Sequence, residues 1–300
     1  MKQLILCICL ALALLPAQGY ASENSGWDAY LKGDYLNAHQ HWLPLAQQGS
    51  AELQHMMGFM HLQGQGVGKN FSVAKQWFER AAKNDYPAAM FAIGTLYENG
   101  QGLAINNELA IQWYTKSALA GFVHGQFYLG LQYTNGSLVE QDYAKAFSWF
   151  RLAAEANDPA AQNHIALFYH RGVGVEQDIE LALEWYRKAA NQGLSIAQVA
   201  LGNLYLDGEQ VAQDTYMAME WFFEAAAQGD ADAQYALGRI YSEGIDVIRN
   251  PHYASRWLRR AADQDHEQAK HGLKALKRSQ ALNRKKYPSL NASSIYNDFG

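Results

Sequence analysis

Apolar residues recur along this chain at the spacing of amphipathic α-helices, in pairs of segments separated by glycine-containing loops. In residues 88–121, Ala89 and Ile93 begin a series spaced by three to four residues that gives a first helix one apolar face. Ala110 and Trp113 begin a second series of the same kind after the loop. The pattern predicts a helix, a loop and a second helix, and so an all-α fold.

This helix pair recurs six times at an interval of 36 residues, which is the strongest signal in the sequence. The tryptophan column of the repeat comprises Trp77, Trp113, Trp149, Trp185, Trp221 and Trp257. Two alanine columns begin at Ala74 and Ala82, a glycine column begins at Gly64, and all three are filled in every repeat. Stacked helix pairs of this length are expected to form a right-handed α–α superhelix, or solenoid, whose concave wall is made chiefly of the first helices.

Each column has a structural role in the predicted repeat. Gly100 follows the first helix where a left-handed C-cap is needed, and Gly94 on the apolar face lets the second helix approach closely. A column of Asn and Asp, represented here by Asn106, supplies the N-caps of the second helices because its side-chain oxygen accepts from free amides. Leu103 belongs to an aliphatic column that anchors the loop in the core, and Trp113 is expected to fill the gap between neighbouring repeats.

The ends of the array depart from the pattern, as capped repeat arrays require. Residues 27–49 resemble a second helix alone, and residues 267 to about 285 resemble a first helix that continues as a cap. The predicted organisation is a signal peptide at 1–21, an N-terminal capping region at 22–50, six repeats at 51–86, 87–122, 123–158, 159–194, 195–230 and 231–266, a C-terminal capping helix at 267–286, and a flexible tail at 287–300.

This pattern resembles the Sel1-like repeat. In the second repeat the motif consists of Ala89, Ile93, Gly94, Tyr97, Gly100, Gly102, Asn106, Ala110, Trp113 and Ala118. Departures are local, since Ala166 replaces the first-helix glycine in the fourth repeat and His61 replaces the tyrosine in the first. The resemblance implies a tetratricopeptide-like solenoid that serves as an adaptor or scaffold for other proteins, often in bacterial envelope signalling, secretion or host interaction.

The first residues have the form of a secretory signal peptide. Lys2 precedes an unbroken apolar run at 4–15, and the small-residue stretch that follows predicts cleavage after Ala21, with cleavage after Gly19 as the alternative. An uncleaved anchor is the other interpretation, although twelve apolar residues are too few to span a bilayer comfortably. Both cysteines lie in the apolar run and would leave with the signal. We expect a bacterial protein, periplasmic or secreted, without disulfides.

No catalytic constellation is visible in the sequence. The chain lacks a Gly-x-Ser-x-Gly motif, a phosphate loop and a dinucleotide fingerprint, and its carboxylates are scattered at caps and exposed faces. The histidines that cluster in the sequence are His39, His41, His55 and His61, and two of them stand in columns that are otherwise aromatic. Because packing explains these histidines without a metal, we expect no metal site, no cofactor and no enzyme activity.

In a helix-pair array, the positions available for partner binding are those on the first helix between the repeated columns. These positions vary from repeat to repeat. The candidates are Phe59, Phe91, Thr95, Glu98, Phe127, Leu131, Asn163, His170, Asn203, Tyr235 and Arg239. Those of the N-terminal half give an apolar stripe suited to hydrophobic anchors, and those of the C-terminal half suit hydrogen bonding to an extended backbone. The other interpretation is that these positions vary because nothing constrains them. We expect a protein or peptide segment to occupy this groove.

Charge is distributed unevenly along the chain. From Arg249 onward there are eleven basic and four acidic residues, whereas residues 22–248 hold twelve basic and twenty-five acidic residues. The basic residues near the C-terminal cap include Arg256, Arg259, Arg260, Lys274, Lys277 and Arg278. These residues form either a weak contact for anionic lipid or cell-wall polymer, or a solvated cap of the kind that suits helix C-termini. Nucleic acid is set aside as a partner because we expect an exported protein.

The sequence therefore favours a non-catalytic, exported scaffold or adaptor that binds a protein or peptide partner on its concave face, as a monomer. The alternative function is that of a cell-wall protein that hydrolyses peptidoglycan or binds a wall polymer.

Overall fold

The computed structural model describes residues 17–286, and the regular elements in this range are all helices. The chain divides into two compact units, residues 1–153 and 154–300. The first unit contains α1 (Ala17–Leu31), α2 (Tyr35–Gln47), α3 (Ala51–Gln63), α4 (Phe71–Lys83), α5 (Pro87–Asn99), α6 (Asn107–Leu119), α7 (Val123–Asn135) and nearly all of α8 (Tyr143–Glu155). The second unit contains α9 (Pro159–Arg171), α10 (Ile179–Asn191), α11 (Ser195–Asp207), α12 (Thr215–Ala227), α13 (Ala231–Glu243), α14 (Pro251–Ala262) and α15 (Glu267–Lys286).

The helices begin and end at the capping residues that the sequence predicts. The loop glycine adopts a left-handed conformation in all six repeats, with φ between 65° at Gly100 and 78° at Gly244. Asn106 caps α6 through a hydrogen bond of 2.9 Å from the Leu109 amide to its Oδ1 atom. The same contact is made by Asn70, Asp142, Asp178, Asp214 and Asn250. The prediction of these caps is confirmed.

The two helices of a pair meet where the first helix lacks a side chain. A Cβ atom at Gly94 would lie 2.6 Å from the Tyr114 ring, and one at Gly202 would lie 2.5 Å from the Phe222 ring. We call this contact the glycine notch. The side chains that face it are at most 2% exposed and comprise Phe78, Tyr114, Phe150, Tyr186, Phe222 and Leu258. In the fourth repeat, Ala166 takes the place of the glycine and is itself fully buried.

The tryptophan column lies beside these core side chains. Trp113 packs against the cluster that contains Phe78 and Ala81 of the preceding repeat, so it bridges neighbouring repeats as predicted. It is only half-buried, however, and Lys116 Nζ lies 4.4 Å from its ring centroid. Cations cover three further tryptophans, in the pairs Arg80–Trp77, Lys188–Trp185 and Arg260–Trp257. In each second helix, the residue that follows the tryptophan is therefore buried more deeply than the tryptophan itself.

The N-terminal capping region differs from the expectation of a second helix alone. It contains a helix pair, α1 and α2, in which Trp42 of α2 is fully buried. The ring centroid of Trp42 lies 4.7 Å from that of Trp27 and 5.5 Å from that of Tyr30, both on α1. Trp42 stands one repeat before Phe78 in the column of core side chains. The first repeat therefore packs on a complete helix pair.

Two predicted segments fall partly or wholly outside the described residues. The predicted signal peptide is described only from Ala17, where α1 begins, so α1 includes the predicted cleavage site after Ala21. The predicted tail at 287–300 lies outside the described range, and α15 precedes it.

A ladder of buried glutamines joins successive helix pairs. In the second unit, Gln198 Nε2 donates to the Ala190 carbonyl at 3.1 Å, and Gln198 Oε1 accepts from Gln228 Nε2 at 2.9 Å. Corresponding bonds recur one repeat earlier at Gln162 and one repeat later at Gln234. One buried amide thus satisfies a carbonyl at the end of the preceding helix pair and a side chain at the end of its own pair, which fixes the register of the stack.

Replacing Gln198 with methionine should destabilise the second unit by about 1–2 kcal/mol, because the Ala190 carbonyl and the Gln228 amide each lose their partner. The second repeat carries Met90 and Ala120 at the corresponding positions, so the double variant Gln198→Met/Gln228→Ala is the matched apolar pair. We expect the double variant to lose less than the sum of the two single variants in urea denaturation followed by circular dichroism. Strict additivity would show that the two amides act independently.

Candidate binding face

The first-helix face comprises the variable positions that α3, α5, α7, α9, α11 and α13 carry between the framework columns. Of the eleven residues predicted to bind a partner on this face, ten are half-buried and only Asn203 is exposed. The face is therefore less open than the sequence suggested, and much of it is occupied by contacts within the fold.

The apolar part of this face is packed rather than open. The Phe91 ring centroid lies 4.9 Å from that of Tyr114, 5.0 Å from His124 and 5.4 Å from Tyr128. The Phe127 ring packs on Phe150 at 5.5 Å, and Phe59 packs against the core cluster of the first and second repeats. The predicted apolar stripe is therefore only partly accessible, because these rings are half-buried against residues of their own and neighbouring helix pairs. Their role in binding stays a prediction.

Glu98 is held at this face by two tyrosines. Its Oε2 atom accepts from the Tyr114 hydroxyl at 2.5 Å, and both carboxylate oxygens accept from the Tyr128 hydroxyl, at 2.7 and 2.8 Å. Burial raises the pKa of each tyrosine, and hydrogen bonding to Glu98 raises the pKa of each further. Both hydroxyls are therefore held as donors, and Glu98 has a structural task on the face where a ligand was expected.

In four of the six repeats, the residue in the column that contains Glu98 matches the polarity of the core side chain beneath it. Where the core residue carries a hydroxyl, the column residue is polar: Glu98 faces Tyr114, and His170 Nδ1 lies 3.4 Å from the Tyr186 hydroxyl. Where the core residue is phenylalanine, the column residue is leucine in two pairs, Phe78 with Leu62 and Phe222 with Leu206, and threonine in the pair of Phe150 with Thr134. Part of the variation on this face thus has an internal cause, which neither sequence interpretation anticipated.

An open cleft of about 320 Å³ lies on the first-helix face of the second unit. It is lined by Leu167, His170 and Arg171 of α9, Tyr186 of α10, Ala200, Asn203, Leu204 and Asp207 of α11, and Glu209 and Gln210 of the following loop. Two predicted residues, His170 and Asn203, meet here. The cleft offers the Arg171 cation and the Asp207 carboxylate within one site, so it can donate hydrogen bonds to a ligand and accept them from it.

The other predicted polar residues do not line this cleft. The Tyr235 ring stacks on His266 with centroids 4.7 Å apart, and the Thr95 hydroxyl donates to a carbonyl of its own helix at 2.7 Å. Arg239 Nε is buried without a hydrogen-bond partner among the described residues. Asn163 is half-buried outside the lining.

Sequence reasoning missed Ala200, Arg171 and Asp207 as parts of the site. A sequence signal for the cleft exists in the column that contains Ala200, because that column carries Tyr128 two repeats earlier. Because Ala92 and Ala236 stand in the same column, the signal is the combination of Ala200 with Tyr186, which matches Tyr114 beneath Tyr128.

The clustered histidines pack as rings. His55 contacts Phe78 and Tyr86, each with centroids 5.4 Å apart, and burial lowers the pKa of His55 to about 4. The His39 and His61 rings lie 6.1 Å apart, edge to face. In the part of the chain that the structure describes, no three His, Cys, Asp or Glu side chains are placed to hold a metal ion.

The basic residues predicted near the C-terminal cap lie on α14 and α15, and their side chains are exposed. Within residues 17–286, none of the six takes part in an ion pair with a carboxylate. Arg260 covers the Trp257 ring at 4.8 Å. None of the helices described between residues 17 and 286 combines the length and apolarity needed to cross a membrane.

Comparison with known proteins identifies the repeat. The family model for the Sel1 repeat matches six consecutive segments, residues 51–86, 87–122, 123–158, 159–194, 195–230 and 231–266. The fold is similar to that of a Sel1 repeat protein from Oxalobacter formigenes, with 35% sequence identity and a TM-score of 0.69, over 86% of this chain and 76% of that one. The predicted all-α solenoid of Sel1-like helix pairs is confirmed.

A second similar structure is a protective antigen present in uropathogenic Escherichia coli strains, which displays an SLR fold. It shares 26% identity with a TM-score of 0.48, and the match covers 91% of this chain and 65% of that one. A comparison with curated proteins finds no match.

Replacing Glu98 with leucine alone should destabilise the first unit by about 1–3 kcal/mol, because the buried Tyr114 hydroxyl loses its acceptor. The double variant Glu98→Leu/Tyr114→Phe recreates the pair of Leu62 and Phe78 and should recover part of that loss, since the half-buried Tyr128 hydroxyl still lacks its acceptor. Urea denaturation of the three proteins measures both effects. A double variant as unstable as Glu98→Leu would contradict the link between this column and the core hydroxyl.

Proposed function

The chain belongs to the Sel1 repeat family, and we propose that it acts as a non-catalytic, exported binding module that holds an extended segment of a protein partner on its first-helix face. Sel1 repeat solenoids are a fold commonly used for protein–protein interaction. The observation that carries the proposal is the cleft between α9 and α11, because it is open, lies on this face and holds polar groups of both kinds.

The chemistry of the cleft suits the backbone of an extended peptide. Such a backbone presents a donor and an acceptor at each residue, and binding sites for it combine polar groups with pockets for side chains. Arg171, Asn203 and Asp207 are exposed at the cleft, whereas Leu167 and Leu204 supply apolar lining. This combination supports a protein segment as the ligand.

Two features of the cleft weigh against hydrolysis. Its lining contains no serine, threonine or cysteine, so it holds no nucleophile of that kind. Its carboxylates, Asp207 and Glu209, are both exposed. A general acid in a glycosidase is usually kept protonated by an apolar surrounding, which exposed carboxylates lack. These features favour binding over the alternative of peptidoglycan hydrolysis.

The exported location is supported by the N-terminal sequence. Lys2 and the apolar run at 4–15 have the order of a secretory signal, and Ala21 follows at a suitable distance for cleavage. Cleavage after Ala21 would remove the first five residues of α1 and would leave Trp27, which packs on Trp42.

The binding proposal is tested by crosslinking in cells that express the full chain with a C-terminal affinity tag. The cleft variant is Arg171→Glu/Asn203→Ala/Asp207→Lys, in which three exposed side chains are changed. The matched control carries Lys83→Glu/Asn191→Ala/Glu220→Lys, the same kinds of change at exposed positions outside the cleft. We expect the crosslinked partner to be lost from the cleft variant and retained by the control, with equal helicity in circular dichroism.

Equal capture by both variants would contradict the binding proposal. Hydrolysis of purified cell wall by the unmodified chain, abolished by Asp207→Asn or Glu209→Gln, would replace it with the alternative function. Fractionation of the same cells tests export, for which we expect Ser22 as the N-terminal residue in the envelope fraction. An intact Met1 in the cytosolic fraction would contradict export.

A further inference from the structure

The two units contain the same site in two forms, one filled and one open. In the first unit, the Tyr128 ring lies over Tyr114 with centroids 4.8 Å apart and against Phe91 at 5.4 Å. Its hydroxyl donates to Glu98. The chain thus supplies its own aromatic side chain to the space between α5 and α7.

Two repeats later, the buried core tyrosine of this site is kept, and the ring that covers it is absent. Tyr186 corresponds to Tyr114 and is likewise buried, at 2% exposure. Ala200 stands in the column of Tyr128. The counterparts of Tyr128 and Tyr114, Ala200 and Tyr186, both line the cleft of about 320 Å³.

The polar end of the site is also kept in altered form. His170 stands in the column of Glu98, and its Nδ1 atom lies 3.4 Å from the Tyr186 hydroxyl. When Nδ1 carries the proton and donates to the Tyr186 hydroxyl, Nε2 of the neutral ring can accept from a hydroxyl, and in the other tautomer Nε2 can donate to its oxygen. In the first unit the Tyr128 hydroxyl donates to Glu98 at this place. His170 therefore gives the cleft a hydrogen-bond partner for the hydroxyl of an incoming tyrosine.

We propose that this cleft, taken as part of the partner-binding face proposed above, receives one aromatic side chain of the partner, best a tyrosine. The incoming ring takes the place that Tyr128 fills in the first unit, packs on Tyr186, and directs its hydroxyl to His170. Arg171, Asn203 and Asp207 then lie at the rim, where the peptide backbone enters.

The size and lining of the cleft fit this occupant. Ligand pockets range over about 300–1,000 Å³, so a cleft of about 320 Å³ suits one large side chain rather than an extended apolar surface. Aromatic pairs prefer offset or edge-on contacts with centroids about 4.5–7 Å apart, as the Tyr114 and Tyr128 pair shows. Leu167 and Leu204 supply the apolar walls.

The direct test uses blocked pentapeptides of the form Gly-Gly-Xaa-Gly-Gly, with tyrosine, phenylalanine or leucine at the centre. Binding to the full chain is followed by chemical-shift changes of the Ala200 and Asn203 amides. We expect saturable binding in the order tyrosine, phenylalanine, leucine, with about two- to tenfold between tyrosine and leucine, the range that ring contacts contribute. Equal affinity for the three peptides, or no shift at these amides, would overturn the proposal.

Substitutions at the cleft provide the control. Ala200→Tyr should fill the cleft from within and abolish binding of the tyrosine peptide, whereas Ala227→Tyr, the same change at an exposed position outside the cleft, should bind as the unmodified chain does. Because Ala200→Tyr alters a packed position, Asn203→Phe at the exposed rim serves as a second blocking variant. Undiminished binding by a folded blocking variant would overturn the proposal.

The outcomes separate this inference from the function it rests on. If the peptides fail to bind but partner capture still depends on Arg171, Asn203 and Asp207, the face binds a protein without an aromatic anchor and the inference alone is wrong. If neither result is obtained, the proposed function is wrong as well.

Discussion

The rest of this structure depends on one contact, in which a core side chain of the second helix packs against a glycine of the first helix. At Gly94 the second helix comes so close that an added Cβ would lie 2.6 Å from the Tyr114 ring, and the contact recurs along the array. The notch fixes one side of the core ring, so the far end of that ring reaches the first-helix face. Where the ring ends in a hydroxyl its neighbour is Glu98 or His170, and two of the three phenylalanine rings have leucine there instead.

The contact at the glycine notch therefore influences which residues lie on the candidate binding face. Since each repeat contacts mainly its neighbours, one place in a stack can be altered without disturbing the others. Between the second and third repeats the site is filled by the Tyr128 ring, whereas between the fourth and fifth repeats it is open at Ala200. The residues at variable positions on this face therefore differ from repeat to repeat for two reasons. At Glu98 the reason is the hydroxyl of the core side chain, and at Ala200 it is the absence of a ring.

The sequence predicted the helices, their caps and the close approach at Gly94, because these follow from local spacing and from backbone conformation. It did not show which of two adjacent residues, Trp113 or Tyr114, is fully buried in the core. The two are adjacent on one helix, and their burial is decided by packing against the preceding repeat and against the notch, which spacing alone does not specify. It also treated Phe91 as open, because the four rings around it come from other helices. The cleft could have been found by comparing Ala200 with Tyr128 in their column.

The free energy of unfolding of Gly202→Ala tests the role of the notch most directly. Alanine is favoured over glycine within a helix by about 0.5–1 kcal/mol, so the substitution would stabilise an ordinary helix. Because the new methyl group would lie 2.5 Å from the Phe222 ring, the notch predicts a loss of about 1–3 kcal/mol instead. Gly272→Ala on α15, whose nearest contact would be Leu258 at 3.3 Å, is the matched control and should change stability little. A Gly202→Ala protein that is more stable than the unmodified chain would contradict the account.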